Sequence, residues 1–188
     1  MIHTPPGARR HFLRHFLRHT ARLAAAGSLV APPAVRADSA GARALAMVHT
    51  HTGEQIDLVY ALAGRYVPPA LGTLNHFLRD HRTGDVGLID PALFDLLHRL
   101  RQMFDTGAAF EVISGYRCAR TNAHLRESRG GGVAARSLHM EGRAIDVRLS
   151  GVPLAALRDA ALSLRVGGVG YYPHDRFVHL DTGRLRHW

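Results

Sequence analysis

Ser137-Leu138-His139-Met140-Glu141-Gly142-Arg143-Ala144-Ile145-Asp146-Val147-Arg148-Leu149 is the stretch on which the reading of this chain turns. From Arg143 to Leu149 polar and apolar residues alternate, which is the pattern of a half-buried strand. Ile145, Val147 and Leu149 fall on one face; Ala144, Asp146 and Arg148 fall on the other. Gly142 permits a tight turn that folds His139 back towards the Asp146 face. A second alternating segment, Phe177-Val178-His179-Leu180-Asp181, puts His179 and Asp181 together on one side. If the two strands pair, two histidines and an aspartate converge. Three protein ligands leave the fourth tetrahedral position open, as a catalytic zinc site does. Plainer readings stay open on spacing alone: a half-buried histidine at 179, and an ion pair of Asp146 with Arg143 or Arg148.

Outward from this stretch the chain reads as mixed. Residues 44–49 and 55–60 predict two strands around the turn His51-Thr52-Gly53. Residues 71–80 predict a helix with Leu74, Phe77 and Leu78 at helical spacing. Asp90-Pro91 is a helix start, a capping carboxylate followed by proline where no N–H is needed. Leu93, Leu96, Leu97 and Leu100 make that helix's apolar face. Phe110 to Ile113 is a short strand entering Ser114-Gly115. A further helix begins near Pro153, with Leu154, Leu157, Ala161 and Leu164 on or near one side; residues 166–172 and 177–181 are strands. Hairpins and helices without a βαβ repeat indicate an α+β domain over 44–188.

The 188 residues carry a formal net charge of +9, with 24 basic residues, all of them Arg, against 15 acids. Arg9, Arg10, Arg14, Arg18, Arg22 and Arg36 lie in residues 1–37, which contain no acid. The high isoelectric point therefore comes in part from a leader, and no nucleic-acid partner is expected. Arg9-Arg10-His11-Phe12-Leu13-Arg14 resembles the twin-arginine export signal, and a weakly apolar stretch follows from Leu23 to Ala31. Val35-Arg36-Ala37 offers small residues for cleavage after Ala37, so 1–37 is expected to be a signal peptide and 38–43 a linker. A competing reading is an arginine-rich transit peptide, since His-Phe-Leu-Arg occurs at 11–14 and again at 15–18. No apolar run reaches the roughly 18 residues of a membrane span, so no transmembrane anchor is expected after cleavage. The single cysteine, Cys118, permits neither an internal disulfide nor a cysteine-based zinc site.

Several ordered motifs then coincide: Ser114-Gly115-Tyr116-Arg117; Thr121-Asn122 with Leu125; Gly132-Val133-Ala134; Ser137-x-His139-x-x-Gly142-x-Ala144-x-Asp146-x-Arg148-Leu149; and Val178-His179-x-Asp181-x-Gly183-Arg184. Together they closely resemble the murein endopeptidase K group, also called the DUF882 proteins, over about residues 42–188. The group sits among the D-alanyl-D-alanine peptidase and hedgehog-like zinc proteins. The resemblance implies a small α+β domain whose antiparallel sheet carries the metal site beside packed helices. It implies one Zn2+ per chain, held by His139, Asp146 and His179, and hydrolysis of peptide crosslinks in peptidoglycan. A periplasmic monomer acting on peptidoglycan peptides is the expected form. A carboxypeptidase trimming a terminal D-amino acid, or a zinc-bearing envelope module without catalysis, are the alternatives.

In such a site Arg117 is the candidate donor to the developing oxyanion and to substrate, as a permanently charged group. Ser137 is a candidate substrate contact. The D-alanyl-D-alanine peptidases place a glutamate three residues before the final histidine ligand; here that position is Arg176, which cannot accept a proton. Asp181 is therefore the first choice for the catalytic base, with Asp175 and Glu141 as alternatives; a role in orienting His179 is its other reading. His49, His51, His76, His81, His98, His124, His174 and His187 have no ligand-spaced partners in a shared motif. Arg129-Gly130-Gly131-Gly132 lacks the Lys-Ser/Thr of a phosphate loop.

Overall fold

The structure, a computed structural model, describes residues 41–128 and 133–188. The leader predicted over 1–37, residues 38–40 of the linker and the glycine run at 129–132 lie outside the described residues. The elements are β1 (Arg43–His49), β2 (Gln55–Leu62), β3 (Arg65–Tyr66), α1 (Pro68–Phe77), α2 (Pro91–Met103), β4 (Phe110–Ser114), α3 (Ala119–Ser128), β5 (Ala144–Leu149), α4 (Leu154–Leu164), β6 (Gly168–Tyr172), β7 (Phe177–Asp181) and β8 (Arg186–His187), with a 3-10 turn at Leu138–Glu141. The α+β expectation holds.

All eight strands form one sheet in the order β3-β2-β1-β4-β5-β7-β6-β8. The expected antiparallel sheet needs one correction: β1 runs parallel to β4, and β6 runs parallel to β8. Alternation within a strand says which face a residue occupies but nothing about the direction of its neighbour. Here the chain leaves β1 through the β2–β3 hairpin and two helices, and this long crossover returns it in the same direction.

Helix α2 begins as the sequence predicts. The Asp90 carboxylate accepts a hydrogen bond from the Ala92 N–H at 3.0 Å, and Pro91 occupies the first turn. Helix α1 starts at Pro68, ahead of the predicted residue 71, because Pro68-Pro69 fit a first turn in which no backbone N–H is used. Helix α3 was not anticipated; its sequence, Ala119–Ser128, is too polar to show an apolar stripe and buries only Thr121, Asn122 and Leu125.

Helix α2 packs against β1 and β5, and α4 against β5, β6 and β7. Ile145, Val147 and Leu149 of β5 are 2% exposed or less, and they join Val178 and Leu180 of β7 in the core with Leu93, Leu97, Leu100 and Leu157. Burying each such side chain contributes about 1.5–3 kcal/mol. The opposite face of β5 is covered as well, with Ala144 1% and Asp146 6% exposed. A carboxylate at that depth requires a partner.

Candidate metal centre

The site is a row of cross-strand neighbours. Ser114 of β4 pairs with Asp146 of β5, Asp146 pairs with His179 of β7, and His179 pairs with Gly170 of β6. Directly paired residues present their side chains on the same face, so Asp146 and His179 meet as the alternation predicted. His139 joins them from the 3-10 turn. That turn ends at Gly142 with φ +66°, and a Cβ there would lie 1.8 Å from the Leu88 carbonyl oxygen. Only glycine satisfies both the left-handed backbone and the close approach.

The hydrogen bonds at the rim decide what the centre of this cluster needs. His139 Nδ1 lies 2.7 Å from the Gly115 carbonyl oxygen, which only accepts, so the ring donates there and turns the Nε2 lone pair inward. His179 Nε2 lies 3.2 Å from Asp181 Oδ2, so this ring donates outward and turns its Nδ1 lone pair inward. The two inward nitrogens are 3.3 Å apart, Asp146 Oδ2 is 3.3 Å from His139 Nε2, and Asp146 Oδ1 is 2.8 Å from His179 Nδ1. Tetrahedral bonds of about 2.0–2.1 Å place ligand atoms about 3.3 Å apart. Lone pairs converge at metal-ligand spacing, and a cation is what they fit. His139, Asp146 and His179 are the one such group among the described residues.

Electrostatics agree. Burial pushes the Asp146 carboxyl up, but the neighbouring His139 and His179 rings overcome this and hold it far below the usual carboxylate range. Burial opposes a charge on His179, yet hydrogen bonds to Asp146 and Asp181 raise it to about 9. The pocket thus attracts positive charge, whether a proton or a metal.

Around this cluster the other anticipated residues separate. Arg117 is nearly buried; its Nη2 is 3.8 Å from Asp146 Oδ2 and 3.4 Å from Ser114 Oγ, and its Nη1 is 3.4 Å from Asn122 Oδ1. Its backbone N–H donates to the His139 carbonyl, which ties the Ser-Gly-Tyr-Arg motif to the ligand turn. Ser137 lines the same depression as His139, Asp146 and His179. Asp181 is 0% exposed. Its Oδ1 accepts the backbone N–H groups of Gly168 and Gly183, and its Oδ2 accepts from Arg186 Nη2 at 2.6 Å as well as from His179. Burial raises its pKa, and these donors outweigh that and hold it below the ordinary range. Glu141 faces Arg143 at 3.4 Å, whereas the exposed Asp175 borders the groove that Arg117 and Asp146 share.

Two further features escaped the sequence reading. Arg186 and Trp188 form a wall of the cleft: the guanidinium stacks 5.0 Å over the indole, and Trp188 Nε1 donates to the Tyr172 hydroxyl at 2.6 Å. A side chain at Gly170 would collide with that indole at 2.7 Å, so the glycine punctuation of β6 was the available signal. The groove also runs on past Arg117 to His51, His81 and Arg82.

The sequence profile described as "Peptidoglycan L,D-endopeptidase MepK" matches residues 37–188. The chain is 47% identical over 146 residues to the Escherichia coli (strain K12) protein named peptidoglycan L,D-endopeptidase MepK, a match covering 78% of this chain and 80% of that one. A Shigella flexneri protein of the same name matches equally, and a Haemophilus influenzae relative is 43% identical over 147 residues, covering 78% of each chain.

Proposed function

The chain belongs to the M15-type family of peptidoglycan L,D-endopeptidases, and from that membership we propose that it is a zinc-dependent hydrolase of peptide crosslinks in peptidoglycan. The observation that carries the metal is the convergence of three lone-pair donors, two of them fixed in tautomer by Gly115 and Asp181. His139 Nε2, Asp146 and His179 Nδ1 would hold one zinc ion. When bound, zinc supplies Lewis acidity at the scissile carbonyl and makes its water a hydroxide source near neutral pH.

The protein's own groups supply the rest. Arg117 borders both parts of the cleft beside Asp146, placed to meet the oxygen on which negative charge develops. Asp181 accepts from the His179 Nε2–H and so orients the ring with Nδ1 towards the metal position. Its burial and full set of donors argue against the base role that the sequence suggested, and Asp175, the acid open to the groove, takes that role. It would accept a proton from the attacking water and return it to the leaving amine. Ser137 and the Tyr172–Trp188 wall bound the substrate.

The groove supports an endopeptidase over a carboxypeptidase. It extends from the ligands towards Trp188 and Arg186 on one side, and past Arg117 towards His51 and His81 on the other. A chain cut in its middle needs room on both sides of the bond. Incubating the zinc-loaded mature protein with purified sacculi is expected to release muropeptides that were crosslinked. Uncut crosslinks, or release of single D-amino acids alone, would overturn the reading.

Action on peptidoglycan supports an exported protein, and we propose that residues 1–37 are a twin-arginine leader. No helix among the described residues is long and apolar enough to cross a membrane. Replacing Arg9 and Arg10 by Lys is expected to leave a reporter fusion in the cytoplasm; undiminished periplasmic yield would point to another route.

A further inference from the structure

The far end of the groove is built from groups that the proposed reaction does not use. His51 and His81 stack face to face, with ring centroids 4.2 Å apart and planes 8° from parallel. Neither ring makes a hydrogen bond among the described residues. Behind them lies His49, 0% exposed. Its Nδ1 accepts the His51 backbone N–H at 3.2 Å, so its proton sits on Nε2, which is buried without a partner. Arg82 borders the same depression, and its guanidinium makes no hydrogen bond or ion pair among the described residues.

This end is rigidly joined to the metal centre. The loop carrying His81 and Arg82 is closed by the Arg82 N–H to Asp80 Oδ1 at 3.0 Å and by the Gly84 N–H to the Asp80 carbonyl at 2.7 Å. Asp80 Oδ2 then accepts the N–H of Cys118, the residue next to Arg117. The Tyr116 N–H donates to the Leu78 carbonyl, and a Cβ at Gly115 would lie 2.6 Å from that same oxygen. The loops bearing Arg82 and Arg117 are therefore held in fixed relation across the groove.

The chemistry selects an anion. A metal shared by His51 and His81 is disfavoured, because in-plane lone pairs of parallel stacked rings do not converge on one point. Burial, followed by the neighbouring His51 and Arg82, lowers His81 to about 4, so near neutral pH it offers an N–H and no charge. The charge at this end is that of Arg82, whose planar fork suits a carboxylate. Asp175 borders the same groove and repels an anion placed beside it, which leaves the histidine–arginine end for the carboxylate.

We propose that His51, His81 and Arg82 form a subsite for a free carboxylate on the peptide that flanks the scissile bond. This rests on the endopeptidase reading above. The test compares two synthetic crosslinked stem peptides, one with free terminal carboxylates and one with those groups as primary carboxamides, on the zinc-loaded mature protein. Wild type is expected to favour the carboxylate in kcat/KM by roughly ten- to a hundredfold, chiefly through KM, the scale of a charge-assisted hydrogen bond. Arg82→Gln is expected to bring that ratio near one, Arg82→Lys to retain part of it, and Arg65→Gln, on the exposed strand β3, to retain all of it. A wild type indifferent to amidation, or an Arg82→Gln protein with the full preference, overturns the subsite while leaving the peptidase standing if sacculi are still cut. If neither compound nor sacculi are cut, the activity falls, and calorimetric binding of the same two compounds reads the subsite directly. Equal affinities then overturn it, and a preference that depends on Arg82 sustains it.

Discussion

The His139→Ala protein is expected to purify without stoichiometric zinc and to lose at least about a thousandfold of its crosslink hydrolysis, the equivalent of the several kcal/mol a metal contributes to transition-state charge. The expectation rests on Nε2 of His139 being one of three lone-pair donors that approach within 3.3 Å of one another. Alanine leaves Asp146 and His179, which face each other across a 2.8 Å contact with Arg117 beside the carboxylate. That pair can close on a proton in place of the metal, so the variant is expected to fold. Metal analysis and muropeptide release, measured on one preparation, check both halves of the claim. Stoichiometric zinc retained by His139→Ala and by His179→Ala would sink the ligand assignment.

The second large effect is expected at Asp181, and it separates two roles for one carboxylate. In Asp181→Asn the Oδ1 position must still face the Gly168 and Gly183 N–H groups, at 2.9 and 2.8 Å. The amide NH2 then replaces Oδ2 opposite His179 Nε2 and Arg186. Two donors would meet there, so the His179 ring is driven to the tautomer with its proton on Nδ1, the atom required by the metal. Loss of an orienting partner costs about 10–100-fold in metal affinity or activity, and here both are expected to fall together. Asp175→Asn is the contrast: zinc content near that of wild type, with turnover lowered by about 10²–10⁴-fold, the range of a general base. Should Asp181→Asn keep its zinc and lose only rate, while Asp175→Asn stays active, the base returns to Asp181.

The meeting of Asp146 and His179 was legible because it depends on local periodicity. Alternation put Asp146 opposite Ile145 and Val147, and His179 opposite Val178 and Leu180; one strand pairing then brought Asp146 and His179 together. Asp90-Pro91 announced helix α2 for an equally local reason, since a cap and its helix are adjacent in sequence. The surroundings of Asp181 were not legible in the same way. Sharing a face with His179 made it a candidate base, with orienting that ring as its other reading, and alternation did not show that the N–H groups of Gly168 and Gly183 and the Arg186 guanidinium would fill its oxygens.

What the sequence by itself determined is therefore the α+β class and the shared face of Asp146 and His179, because side-chain direction follows from the period of two along a strand. Only the tertiary structure decided the parallel neighbours β1–β4 and β6–β8, the burial of Asp181, the Arg186–Trp188 wall, and the joining of His51, His81 and Arg82 to the cleft. The strand directions and the joining of the histidine–arginine end depend on contacts between segments far apart in the chain. Asp80 reaches Cys118 across 38 positions and His139 reaches Gly115 across 24, distances over which no alternation or helical spacing carries information. Local pattern selects the face a residue occupies; long-range closure selects what stands opposite it, and that determines whether a carboxylate binds, orients or accepts a proton.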